Sequence, residues 1–192
     1  QEIMDYLKTF KVTKVEGSLI IDELNFEGLS NIVEVTENIK INSYYKAYPI
    51  NTPDKTLDGL LNLDSLSGIG IIGGDLEIKW HNTLETLNGL ENLKTIGGDL
   101  TLYLDSNLQN INGLSSVSHV GGNINIGDNN YSSSDILENI NGLSGLVSVG
   151  GDLAIHTNDK IINVNGLSNV TSVGGDLIIA SNDNLNSLLG LS

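Results

Sequence analysis

The chain has 192 residues, with nine lysines, no arginine, 24 acidic residues, three histidines and a formal charge of −15, which disfavours nucleic acid and anionic membrane surfaces as partners. Absent cysteine excludes a disulfide framework and thiolate metal sites. No apolar run approaches the roughly 18 residues of a membrane span, and residues 1–20 lack a signal-peptide core, so any secretory signal is expected to have been removed.

Residues 1–14 place Ile3, Tyr6, Leu7 and Phe10 at helical spacing, which predicts a short N-terminal helical cap. Residues 15–192 read as one repeating domain, with the cap attached to it. Two degenerate units come first, at Glu16-Gly-Ser-Leu19 and Thr36-Glu-Asn-Ile39. Gly73-Gly-Asp-Leu76 then recurs from Gly97, Gly121 (as Gly-Gly-Asn-Ile), Gly150 and Gly174. Asn-Gly-Leu begins at Asn88, Asn112, Asn141 and Asn165, always at the same distance before the next glycine pair.

One unit shows what the repeat builds. After Gly97-Gly98, Leu100 and Leu102 face one way while Asp99 and Thr101 face the other, which is a short strand. Leu108, Ile111, Leu114, Val117 and Val120 then recur every third residue, as in tight 3₁₀-like turns that return an apolar side chain inward at each bend. About 24 residues suffice for one turn of a solenoid and not for a strand plus a full α-helix. Each coil has too little apolar surface to fold alone, so stacking supplies the core. The expected inner rows of the parallel sheet run from Leu19 to Leu177 and from Ile21 to Ile179, all Leu or Ile. The glycine pairs predict positive φ or close approach between coils, since the Lys-Ser/Thr of a phosphate loop is missing.

These residues resemble the receptor L domain family, leucine-rich β-helices, in the style of bacterial cell-surface members rather than cysteine-bearing growth-factor receptors. Leu-x-x-Ile-Gly-Gly-Asp-Leu-x-Ile with upstream Asn-Gly-Leu carries the likeness, and the segment from Glu2 through Ile21 is similar to how such domains begin. The fold expected is all-β: a right-handed, single-stack β-helix or leucine-rich solenoid of about seven ~24-residue coils, with a parallel sheet and a short capping helix. The resemblance implies a secreted or cell-surface recognition or adhesion module without catalysis or cofactor, binding a protein or carbohydrate. A structural spacer is the alternative, and a β-helical polysaccharide-active enzyme is a weaker one. Acidic-sugar lyase chemistry wants a cationic group that an arginine-free chain supplies poorly, and His81, His119 and His156 occupy three different repeat positions.

Insertions and aromatics suggest where a ligand would sit. The coil starting at Thr36 is longer than a regular unit, with surplus within residues 42–56 and around residues 67–72. The coil starting at Gly121 carries a smaller surplus at residues 131–135. Both post-strand insertions emerge at one edge of the stack. Tyr44, Tyr45 and Tyr48, Trp80, Tyr103 and Tyr131 mark that edge, with His81 and His156, and form the candidate ligand-binding set. Packing of the three tyrosines onto their own loop is the competing reading. Outward acids Asp75, Asp99, Asp152 and Asp176 are weak candidates for Ca²⁺, against a role capping backbone N–H groups. The amides of the Asn-Gly-Leu motif, and those of Asn129, Asn158 and Asn182 with Asp105 in the intervening slot, are expected to stack from coil to coil. The last coil ends at Leu188-Leu-Gly-Leu-Ser192 without a polar cap, which points to further repeats or self-association there.

Overall fold

Alternation of Leu and Ile after each glycine pair does build strands in the computed structural model, which describes residues 12–21, 28–42, 60–79, 83–103, 107–127 and 137–192. Each coil contributes one strand to each of two parallel seven-stranded sheets. Sheet A consists of two-residue strands: β1 (Lys14–Val15), β3 (Glu34–Val35), β5 (Ile71–Ile72), β7 (Thr95–Ile96), β9 (His119–Val120), β11 (Ser148–Val149) and β13 (Ser172–Val173). Sheet B holds the longer ones: β2 (Leu19–Ile21), β4 (Ile39–Asn42), β6 (Leu76–Lys79), β8 (Leu100–Tyr103), β10 (Ile124–Ile126), β12 (Leu153–His156) and β14 (Leu177–Ala180).

Sheet B keeps the register that the repeat predicts. Leu76 pairs with Leu100, Leu100 with Ile124, and Ile124 with Leu153, so like residues stack along the axis. Between the second and sixth coils these inner residues are almost completely buried, each stabilising the fold by roughly 1.5–3 kcal/mol relative to exposure. Sheet A is a difference from the sequence reading. Spacing of three does give 3₁₀ turns at Asp64–Leu66, Asn112–Leu114, Asn141–Leu143, Asn165–Leu167 and Leu189–Leu191. The apolar residue before each glycine pair, however, lies in a strand rather than a turn. Two extended residues suffice for a ladder rung when an identical rung lies on either side, and that is too short to show alternation in sequence.

The chain's phase relocates one insertion. Leu63, Leu66, Ile69 and Ile72 are buried at the positions that Leu87, Leu90, Leu93 and Ile96 occupy one coil later. Residues 67–72 therefore belong to a regular coil, and the whole surplus falls between Asn42 and Leu60. Most of the proposed helical cap lies outside the described residues. Of its last residues, Thr13 accepts a hydrogen bond from Val33 N–H (2.8 Å) and Lys14 already pairs with Glu34 in sheet A.

The Gly-Gly-Asx corner joins sheet A to sheet B, and there the backbone ladder reverses direction. Gly98 N–H donates back to Gly74 O in the preceding coil, whereas Leu100 N–H donates forward to Asn123 O. Asp99 N–H, between them, has no carbonyl to reach. Oδ1 of Asp75 in the preceding coil accepts it at 2.8 Å. The same tie links Asp75 to Asn38, Asn123 to Asp99, Asp152 to Asn123, and Asp176 to Asp152. The acids thus cap backbone N–H groups, as the structural alternative to Ca²⁺ requires, but on the next coil rather than on their own turn. Glycines permit this by close approach, not by positive φ. A Cβ on Gly97 would overlap the carbonyl oxygen of Gly73, and one on Gly98 would overlap the Asp75 carboxylate.

The Asn-Gly-Leu corner corrects a second expectation. Asn112, Asn141 and Asn165 are exposed and do not form a buried amide stack. The residue two positions earlier does the capping: Asn110, Asn139 and Asn163 each accept the backbone N–H of the motif asparagine at 3.0–3.2 Å. Stacked amides do occur at the other corner, after sheet B. Asn182 Oδ1 accepts Asn158 N–H (3.1 Å), and Asn158 Nδ2 donates to His156 O (2.8 Å). Asn129 and Asp105, placed in the same row from sequence, lie outside the described residues.

Candidate ligand-binding surface

Tyr103 and His156 are the members of the aromatic edge that the structure describes. Tyr44, Tyr45, Tyr48, Trp80, His81 and Tyr131 lie outside the described residues. Tyr103 is the last residue of β8 and His156 the last of β12, so both end sheet B strands rather than beginning the loops that follow. Register places them in one row across the sheet. Asn42 pairs with Lys79, Lys79 with Tyr103, and His156 with Ala180. Gly127, directly after β10, fills the position between Tyr103 and His156.

Odd strand positions of sheet B point inward and carry the Leu/Ile core, so this row and its neighbour point outward. The neighbouring row reads Lys40, Glu77, Thr101, Asn125 and Ala154. Together the two rows form a connected polar surface. Asn42 Nδ2 donates to Glu77 Oε1 at 2.7 Å, and Lys79 Nζ lies 3.0 Å from Glu77 Oε2. Lys79 Nζ also stands 4.7 Å from the centre of the Tyr103 ring, a cation–π contact. Burial pushes the Glu77 carboxyl up, but hydrogen bonds from Lys79 and Asn42 and the charges of Lys79 and Lys40 outweigh it and hold the carboxyl below its usual range. Glu77 is therefore ionised at neutral pH and fixes the lysine beside the ring.

His156 is nearly buried, with Nε2 2.8 Å from Asn125 Oδ1 on the adjacent strand. Gly127 makes this possible. Its φ is +125°, and a Cβ there would overlap the His156 carbonyl oxygen and crowd the imidazole Nδ1. Any side chain at that position would hinder His156 from leaning across β10 toward Asn125. His119 belongs elsewhere: it lies exposed on sheet A, with Nδ1 2.8 Å from Ser148 Oγ.

Sequence reasoning found the two rings but missed Asn42, Glu77, Lys79 and Asn125, the side chains that hold them. The signal was available, because each stands one or three residues after the first inward residue of its strand, at the positions of Thr101 and Tyr103. The acidic candidates Asp75, Asp99 and Asp152 are engaged through Oδ1 by backbone, and among the described residues no group of three or more His, Asp or Glu side chains is arranged to hold a metal ion.

Among the described residues no helix is long and apolar enough to cross a membrane. No curated protein and no solved structure matches the chain. A match is found to the Receptor L domain family, a ligand-binding, non-catalytic domain of extracellular proteins, over residues 94–188, which takes in β8, β10, β12 and β14 with Tyr103 and His156. The coil architecture and that match together support a receptor L domain-like family for this chain.

Proposed function

We propose that the chain is a recognition module, secreted or displayed at a cell surface, that binds a protein ligand across the outward rows of sheet B. The observation that carries this reading is the network from Asn42 through Glu77 and Lys79 to Tyr103, joined in the same rows by Asn125 and His156. These side chains restrain one another before any ligand arrives. A partner then gains contacts without the cost, about 0.5–1.5 kcal/mol each, of immobilising loose side chains. Tyrosine contributes area with few rotatable bonds, and tyrosine is favoured at the centres of interfaces. The family is a ligand-binding one, which supports a protein partner.

Screening the immobilised chain against arrays of extracellular proteins and of glycans tests the reading. Protein hits should weaken at least tenfold with Tyr103→Ala and with Lys79→Ala, while the melting temperature moves by no more than about 2 °C. Hits confined to glycans would replace the partner class. Binding indifferent to both substitutions would move the site off sheet B, and no hit at all would favour a spacer.

A further inference from the structure

Two of the three residues in the recurring Asn-Gly-Leu are accounted for by the fold. Leu90, Leu114, Leu143 and Leu167 are buried in the core. A Cβ on Gly113, Gly142 or Gly166 would overlap a carbonyl oxygen of the coil beneath. The asparagine has no such reason. Asn88, Asn112, Asn141 and Asn165 are all exposed, and among the described residues their side chains make no hydrogen bond. The turn does not require an amide either, since Asp64 and Leu189 begin equivalent 3₁₀ turns in their own coils. An amide repeated in four coils without an internal partner is placed to meet something outside the chain.

These amides form one line along the stack. Gly113 packs against the Leu87 carbonyl, Gly142 against Ile111 and Gly166 against Ile140, so the coils are successive and the residues inserted after β10 do not interrupt the line. Neighbours along it are about 4.8 Å apart, the spacing of paired strands. The exposed hydroxyls of Ser115, Ser144 and Ser168 run beside it, three residues on. On the other side Asn110, Asn139 and Asn163 cap through Oδ1, which leaves their Nδ2 groups to donate outward. The line itself is uncharged, in a chain with a formal charge of −15. Exposed Glu85, Glu91 and Glu138 flank it in sequence, so an acidic ligand would be repelled.

We propose that this line is a binding site for a neutral polysaccharide, an extended β-linked chain lying along the stack axis with one sugar to each coil. A side-chain amide offers two donors and an acceptor, which suits the neighbouring hydroxyls of a sugar ring. In an extended β-linked chain each ring advances by close to one coil spacing. A uniform row of coils therefore meets a uniform polymer, and individually weak contacts add along it. A folded protein surface has no such repeat. The line runs along the 3₁₀ corner, apart from the outward rows of sheet B, and the proposal does not rest on the surface proposed there.

Native electrophoresis through gels containing glucomannan, hydroxyethyl cellulose or glycol chitin, all neutral and β-linked, tests the proposal. At least one should retard the chain, equally at low and high salt because no charge is involved, and polygalacturonate should not. Combining Asn112→Ala, Asn141→Ala and Asn165→Ala should weaken binding roughly tenfold or more, while the melting temperature moves by no more than about 2 °C. Titration with oligosaccharides of the retarding polymer should tighten up to about four sugars, one per amide, and then level off. Retardation by none of the three polymers would overturn the proposal, as would retardation that survives the triple substitution. If Tyr103→Ala abolishes it instead, the glycan belongs to sheet B, and the protein partner proposed for that surface is replaced along with this site.

Discussion

At the corner between the sheets, Asp99 N–H is capped by a side chain of the preceding coil, whereas at the 3₁₀ corner Asn112 N–H is capped by Asn110 two residues earlier in the same coil. Both corners set a glycine against the backbone beneath: Gly97 over the Gly73 carbonyl, Gly113 over the Leu87 carbonyl. Their steric solution is shared and their polar solution is not. The reason is the direction of the backbone ladder. Where it reverses between coils, the unpaired N–H lies against the neighbouring coil and must be satisfied from there. In a 3₁₀ turn the first N–H groups are unpaired because the turn has just begun, and a local Asx or Ser/Thr side chain suffices. One corner therefore couples coils, and the other finishes a coil.

The steric likeness is the strongest claim and carries the largest effect. Gly97→Ala and Gly113→Ala should each destabilise by roughly 3 kcal/mol or more, because the obstacle is backbone locked into a ladder on both sides and cannot step aside. Chemical denaturation of the two variants should give similar losses. A Gly97→Ala variant within about 0.5 kcal/mol of the parent would break the close-approach account of the glycine pair.

The polar difference comes next. Asp99→Ala leaves Asn123 N–H without its acceptor, at a cost of roughly 1–3 kcal/mol, and hydrogen exchange should quicken in the following coil, at Asn123, rather than at the substituted one. Asp99→Asn keeps the acceptor, as Asn38 and Asn123 do naturally in the same row, and relieves repulsion from Asp75 about one strand spacing away. It should be neutral or slightly stabilising. Loss of stability in both variants alike would mean that the carboxylate charge, not the hydrogen bond, matters. Asn110→Ala should cost less, about 0.5–1 kcal/mol, with faster exchange confined to Asn112, while Asn112→Ala at the exposed motif position should change little.

Much of this was legible because a repeat multiplies its evidence. Seven copies of a Leu or Ile pair spaced two residues apart fix the strand register of sheet B more firmly than any one strand could, and the pairings of Leu76, Leu100 and Ile124 follow it. Sheet A was not legible, since two residues have no period. The capping of Asp99 by Asp75 was half legible: a carboxylate after two glycines suggested a capped N–H, but not that the N–H belonged to another coil. The motif asparagines misled because frequency was read as burial. Asn112 recurs while exposed, and Asn110, less eye-catching because Thr86 and Ser187 share its row, does the capping. At the candidate surface the rings stood out by scarcity, and Glu77 and Lys79 did not, because charged residues on a strand's outer face are ordinary.

The smallest effect is expected where coils are tied by side chains alone. Asn42 of one coil donates to Glu77 of the next, with Lys79 closing the group. Unlike Asp75 at the corner, Glu77 serves no backbone N–H that would be stranded without it. Burial pushes its carboxyl up, but Lys79, Asn42 and Lys40 outweigh that and hold it below its ordinary value. A depressed value in the folded state means that the tie contributes its full stability above the unfolded-state value and loses it as pH falls through the folded one. The contribution should stay under about 1 kcal/mol, as for ion pairs near a surface, too little to move the unfolding midpoint clearly. It should be visible in the carboxyl resonance of Glu77, which should titrate below the ordinary glutamate range in the parent and move upward in Lys79→Met. A Glu77 carboxyl that titrates at or above the ordinary value in the parent would remove the ion pair from the account and leave Tyr103 without a fixed cation beside its ring.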